Sequence, residues 1–307
     1  MNNLRILVTL MLLALFSCAG LTAGIGADPV ILTDKVDVYP LGLHLELLED
    51  KQANLTIDDV RSSPTVRRFR PNHKTSPSFG FSASAYWAKF SLNNQSSQTK
   101  RWLFEIAFPL HDEVDIYVFN TSDPLFSLQN HWQTGDSLPF ASRPYDNHNF
   151  VFPLVIPTKQ SVTVFVRLKS NNSMVLPFTL WSVDGFNHNN VRTVLGLGLY
   201  YGIMLVMMLY NAFVYVSVRD KSYLFYIIYL LFFSLSVSTI NGLGSQFLWP
   251  NEPWLSNQGF VIFMFQTAFW GVLFSQHFLG LKTHAPLLNR LFNLMAGFCI
   301  LAMCVAI

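Results

Sequence analysis

Residues 194–218 read VLGLGLYYGIMLVMMLYNAFVYVSV, an apolar run without one charged side chain. A helix of that length crosses about 30 Å of hydrocarbon, so the run predicts a membrane span. Similar stretches follow at about 223–248 and 260–279, and a fourth begins near Leu291 and runs to Ile307. None contains proline, which argues against the broken helices of transporters. Residues 191–307 therefore predict an α-helical transmembrane bundle.

The connecting segments set its direction. Arg219-Asp220-Lys221 joins the first two spans, and Lys282 to Arg290 joins the third to the fourth. The loop between them, Trp249-Pro250-Asn251-Glu252-Pro253-Trp254, has no lysine or arginine. Basic loops stay cytoplasmic, so residues before the first span are expected outside, with Trp249 and Trp254 at the outer interface. The amino terminus agrees. Arg5, the apolar core Ile6 to Phe16 and the small residues up to Ala27 predict a signal peptide over 1–27, cleaved after Ala23 or Ala27. Leu15-Phe16-Ser17-Cys18 offers lipoprotein processing as an alternative.

Residues 28–190 are of another kind. Overall 51% of the chain is apolar and 12% charged, against roughly 25% charged in a typical soluble domain. The deficit falls on the spans, because 30 of the 38 charged residues lie in 28–190. A net charge of +2 with no basic stripe excludes nucleic acid as a partner. Short segments separated by turn residues predict strands at Leu43–Leu48, Val66–Phe69, Tyr86–Leu92, Trp102–Ala107, Val114–Asn120, Phe150–Ile156, Val162–Lys169 and Val175–Trp181. In Val162 to Leu168 the apolar side chains alternate, the period of a half-buried strand. Such a set, without a sustained helical pattern, predicts a sandwich or jelly roll. No cysteine lies in this region, so it must stand on its own core.

Catalytic and metal chemistry find no support. His44, His73, His111, His131, His148 and His188 are scattered without ligand spacing, and neither a Gly-x-Ser-x-Gly elbow nor a P-loop occurs. No enzyme activity, metal or cofactor is expected. For ligand binding, Trp132 and Tyr145 in loop-like segments are the aromatic candidates, and Arg143 could clamp a carboxylate through its planar fork. Trp87 and Trp102, inside strand patterns, are expected in the core. Within the spans Asn211, Asn241, Gln246, Gln266, Gln276 and His277 are read as interhelical hydrogen-bonding residues. Gly198 and Gly202 form a small-xxx-small pair for close helix packing, which permits a homodimer.

Together the halves resemble the bacterial seven-transmembrane receptors with diverse intracellular signalling modules. In the first half the resemblance rests on Ala85-Tyr86-Trp87-Ala88-Lys89-Phe90-Ser91-Leu92-Asn93-Asn94, on Trp102 to Pro109, and on Val114-Asp115-Ile116-Tyr117. In the second it rests on Tyr200-Tyr201-Gly202-Ile203-Met204, Leu209-Tyr210-Asn211, Asp220 to Leu224, and Gly244 to Pro250. The resemblance implies an all-β jelly-roll sandwich of the carbohydrate-binding type as a periplasmic sensor, followed by seven spans of the inner membrane and a cytoplasmic output module. This chain reaches only the fourth span, so no catalytic module is expected in it. Receptor input is the expected function, with the bilayer and an unknown small periplasmic ligand as partners. A non-signalling membrane-anchored binding protein is the alternative, and transport stands behind both.

Overall fold

The computed structural model describes residues 27–97, 100–123 and 126–306; the signal peptide expected over 1–27 lies, except for Ala27, outside them. Among the described residues, 30–182 form thirteen strands, most of them in two facing sheets. The larger sheet has the order β4 (Arg70–Pro71), β3 (Glu46–Asp50), β6 (Ala85–Asn94), β11 (Ser161–Lys169), β8 (Glu113–Asn120), β9 (Leu128–Thr134), with β1 (Val30–Leu32) parallel to β6. The smaller has the order β10 (Phe150–Ile156), β7 (Lys100–Ile106), β13 (Phe178–Ser182), β2 (Val38–Pro40). A separate ribbon pairs β12 (Ser173–Val175) with β5 (Ser78–Phe81). The chain changes sheet between β6 and β7, again before β8, and on both sides of β10. This repeated crossing is the jelly-roll wrap anticipated from the strand pattern.

The alternation of side chains makes two surfaces out of each strand. Tyr86, Ala88, Phe90 and Leu92 of β6, with Val162, Val164, Val166 and Leu168 of β11, point between the sheets. Trp102, Phe104, Phe150, Phe152, Phe178 and Leu180 meet them from the smaller sheet. Burying each such side chain stabilises the fold by about 1.5–3 kcal/mol, so this interior holds the domain without disulfides. Trp102 and Trp87 are both buried in the core as expected, but only Trp102 belongs to this interior. Although equally buried, Trp87 points out of the larger sheet into a second cluster with Leu48, Phe119 and Phe165.

Two short helices cover that second cluster: α1 (Ile57–Arg61) and α2 (Ser63–Val66). Thr56 and Asp59 form a reciprocal capping box that starts α1, and Pro64 opens α2. The strand expected at Val66–Phe69 is therefore the end of a helix and the turn after it. Val60 and Phe69 carry the apolar contact down onto the sheet. β9 is the opposite correction. Its burial pattern is mostly exposed, so the sequence lacks the alternation by which a strand is recognised, and pairing to β8 decides it.

The membrane half contains four helices long and apolar enough to cross a bilayer: α3 (Val183–Val218), α4 (Lys221–Ile240), α5 (Pro253–Phe278) and α7 (Pro286–Ala306), with the short α6 (Leu281–His284) before the last. α3 starts at Val183 rather than at Val194, directly on the last residue of β13. Ser182 caps it, accepting from Gly185 N at 3.0 Å and donating to Asp37 at 2.6 Å. α4 stops at Ile240 rather than continuing to 248, because Gly242 adopts φ +74°, a conformation that glycine reaches without strain. A π-type turn, Gly244–Leu248, follows, and the Trp249 indole packs on Gly244. α4 packs along α5, and α5 along α7. Gln276 donates from α5 to Asn293 of α7 at 2.9 Å, and Asn241 donates to Tyr201 of α3 at 3.0 Å. The first is an interhelical bond of the expected kind, whereas Asn241 lies just past the end of α4. Asn211 is buried and donates within its own helix, to Met207 O at 2.8 Å. Gly198 and Gly202 face open space.

Candidate functional site

The segment 135–148, between β9 and β10, rests on the outer ends of the membrane helices. It is held to the sandwich first: Asp136 N donates to His111 O at 2.8 Å, and Gly135 lies so close to the Asp112 carbonyl that a Cβ would collide. Its far side bonds to the bundle. Phe140 N donates to Pro250 O at 2.9 Å. Asn257 of α5 reaches Ser137 Oγ at 3.3 Å and Asp136 Oδ1 at 3.5 Å. Gln246 of the π-type turn donates to Asp146 at 2.8 Å, and Asn147 donates to Asn190 of α3 at 3.0 Å. Gly242 closes the joint, since a Cβ there would run into the His148 carbonyl oxygen and Pro109. Three of the membrane-half elements are thus tied to one segment of the sandwich.

Arg143 sits inside this segment with 8% of its surface exposed. Its Nη1 donates to the carbonyls of His148 at 2.6 Å and Asn147 at 3.2 Å, and its guanidinium lies 4.3 Å from the Phe150 ring and 4.8 Å from that of Phe140. The fork read as a carboxylate clamp therefore braces the joint's own backbone. Burial lowers Arg143 to about 10 while the Asp136 carboxylate opposes the shift. Tyr145 stacks edge-on against Phe186, 5.7 Å away, on the outer face of the smaller sheet. Trp132 is on β9 and packs against Phe152 at the edge of the interior. The three candidates thus lean on three different partners, and only Arg143 and Tyr145 belong to the joint.

The residue that the sequence reading passed over is Asp136. It is 2% exposed, and its Oδ2 has no hydrogen-bond partner among the described residues. Burial, reinforced by the Asp112 carboxylate and opposed by Arg143, pushes it up to about 7. Asp112 is itself satisfied by Asn171 and Ser170. His111, wholly buried, is lowered to about 4 by that burial, against a backbone bond to Val175. His148 is lowered by burial and then by the Arg143 charge. A charged residue after glycine in a polar loop reads as solvated, and only its burial among Asp112, Arg143 and Asn257 shows otherwise. Asn241-Gly242 was the legible signal, a turn pair inside an apolar run. Among the described residues no group of three or more His, Cys, Asp or Glu could hold a metal ion.

Two family profiles match this chain. One, described as 7TMR-DISM extracellular 2, matches residues 42–182; the other, 7TM diverse intracellular signalling, matches residues 194–307. A solved structure of a family 6 carbohydrate-binding module is also similar, at 12% identity over 44% of this chain and 92% of that one. Its TM-score is 0.18, too low to bear on fold or ligand. No curated protein matches the chain.

Proposed function

The chain belongs to the seven-transmembrane receptors with diverse intracellular signalling modules, and on that premise we propose that it is a receptor's input half, which passes the state of an exported sensor into membrane helices. The observation that carries this reading is the joint. A sandwich that was only tethered would need one connection, the β13–α3 boundary. Here the 135–148 segment is hydrogen-bonded to α3, to the π-type turn and outer loop after α4, and to α5. A shift of that segment changes the fit of three helices, which is the differential contact that coupling between sites requires.

Geometry supports the direction. α3 has 36 residues, so it extends about 54 Å, enough to leave the sandwich and cross the bilayer. Arg219 and Lys221 lie at its far end, with Lys282 and Arg290 after the return through α5. Basic residues opposite the sandwich support a reading in which the sandwich lies in the periplasm and the helices in the bacterial inner membrane. The sensed molecule is a small ligand of the periplasm, a carbohydrate or another polar compound, since the family does not fix one ligand.

The test is hydrogen exchange of the full chain in lipid nanodiscs, comparing wild type with Gly242→Val, which wedges the joint. Protection is expected to fall together in 135–148 and at the outer ends of α4 and α5. If 135–148 opens while the helix ends keep their wild-type protection, the spans are a tether and the receptor reading fails.

A further inference from the structure

The outer face of the larger sheet, turned away from α3, carries a cavity of ≈ 560 Å³ between α1, α2, β6 and β11, within the range of small-molecule sites. We propose that this cavity binds a small organic carboxylate with an apolar body, the carboxylate held by Arg61. The inference is independent of the joint, which lies on the other side of the sandwich.

Arg61 is half-buried on α1, with its guanidinium 4.1 Å from the Phe119 ring centroid and 5.0 Å from that of Phe126. This aromatic shelf fixes the plane of the fork. Its hydrogen bond, Nη2 to Phe126 O, is long at 3.4 Å, and no carboxylate pairs with it among the described residues. Five N–H donors on a fixed plane therefore remain largely available for a bidentate acceptor. The second cation of the cavity, Lys89, is already paired with Glu46 at 2.9 Å. The site has one uncommitted positive charge, which suits a monoanion.

The remaining walls select the rest of the ligand. Val66, Phe126 and Phe165 offer an apolar surface. Hydroxyls are poorly placed to receive a sugar. Ser91 and Thr163 bond to each other at 2.9 Å, and Ser62 donates to Asp59 O and Thr65. Inorganic phosphate, close to a dianion at neutral pH, would bring more negative charge than Arg61 balances and would leave the apolar wall unused. Phe126 has φ +49°, a genuine outlier for a bulky side chain. It is held there by its bond to Asp123 O and by parallel stacking on Phe119 at 5.2 Å. Such strain gathers at ligand clamps. Exposed Asp58 stands one turn before Arg61 on the cavity rim, where the ammonium of an amino acid would find it.

The experiment is calorimetric titration of the full chain in nanodiscs with phenylacetate, L-phenylalanine, glucose and inorganic phosphate. Saturable binding of a carboxylate is expected, weakened about tenfold or more by Arg61→Gln through loss of a charge-assisted pair. Arg61→Lys keeps the charge and the stem but not the fork; it should also weaken binding while leaving the unfolding temperature near wild type. Asp58→Asn distinguishes the two kinds of acid: it lowers affinity for L-phenylalanine alone if the ligand is an amino acid, and for neither if it is a simple acid. Saturation by glucose or phosphate only, no saturation by either carboxylate, or full affinity in a folded Arg61→Gln protein overturns the proposal.

Discussion

The two outer faces of the sandwich differ in what covers them. Leu103 and Val151 of the smaller sheet lie under Phe186 of α3, with Tyr145 and Trp181 beside them, and Glu105 on the same face accepts from Trp181 and Asn149, each at 2.8 Å. The larger sheet lies under two short helices that leave a cavity. One face is closed by an element that continues into the membrane; the other is left accessible, with Arg61 of α1 on the wall of its cavity. The inner faces hold the fold together and are alike on both sheets. Function is separable from stability here because the pleat assigns them to opposite sides of the same strands.

The largest effect that could break this division is on the interior. Trp102→Ala should cost about 3–5 kcal/mol and lower the unfolding temperature of the sandwich more than any outer-face change. A smaller loss than from Leu103→Ala would show that the covered outer face, not the interior, holds the domain. Next comes the joint, through pH. Burial raises Asp136 from 3.8 to about 7, so the native state keeps a proton that the unfolded chain releases. Its contribution to stability is fully present below about pH 3.8 and is lost as pH rises toward 7. His111 and His148 are lowered and run the opposite way, so the informative quantity is a difference. Asp136→Asn should match wild type near pH 4 and be the more stable protein at pH 8. Equal stability at both would mean that the carboxylate is not desolvated in the native state.

Two smaller changes sharpen the contrast on the open face. Thr56→Ala removes the capping box of α1 and should cost about 1 kcal/mol, read as faster exchange in residues 57–61 with the joint untouched. Lys169→Ala breaks the half-exposed pair with Glu113 at 3.2 Å and should change stability by less than about 1 kcal/mol. A larger loss would show that the Arg167–Glu113–Asp115 cluster beside it depends on Lys169.

Much of the fold was legible because its signals are local. Val162 to Leu168 alternates, and its apolar side chains do face the interior. The spans are long enough to be read by length alone. Errors arose where a neighbour decides. Val66–Phe69 has strand-like residues but follows Ser63-Pro64, and capping draws it into a helix. β9 lacks an apolar face and exists through pairing with β8. For Arg143 the choice between a carboxylate clamp and a partner within the domain was not legible, because a sequence does not show that Phe140, Phe150 and two carbonyls surround it.

By itself the sequence determined that an exported β domain meets a bundle of apolar helices, and which loops are basic, because hydropathy, period and charge are properties of consecutive residues. Only the tertiary structure decided that α3 grows from the last strand without a linker, that Asp136 is buried against α5, and that Arg61 stands over two aromatic rings. Those arrangements join residues such as Asp136 and Asn257, or Arg61 and Phe126, that lie far apart in the chain. Their energies depend on burial and distance, which exist only once the sheets have closed and the helices have packed.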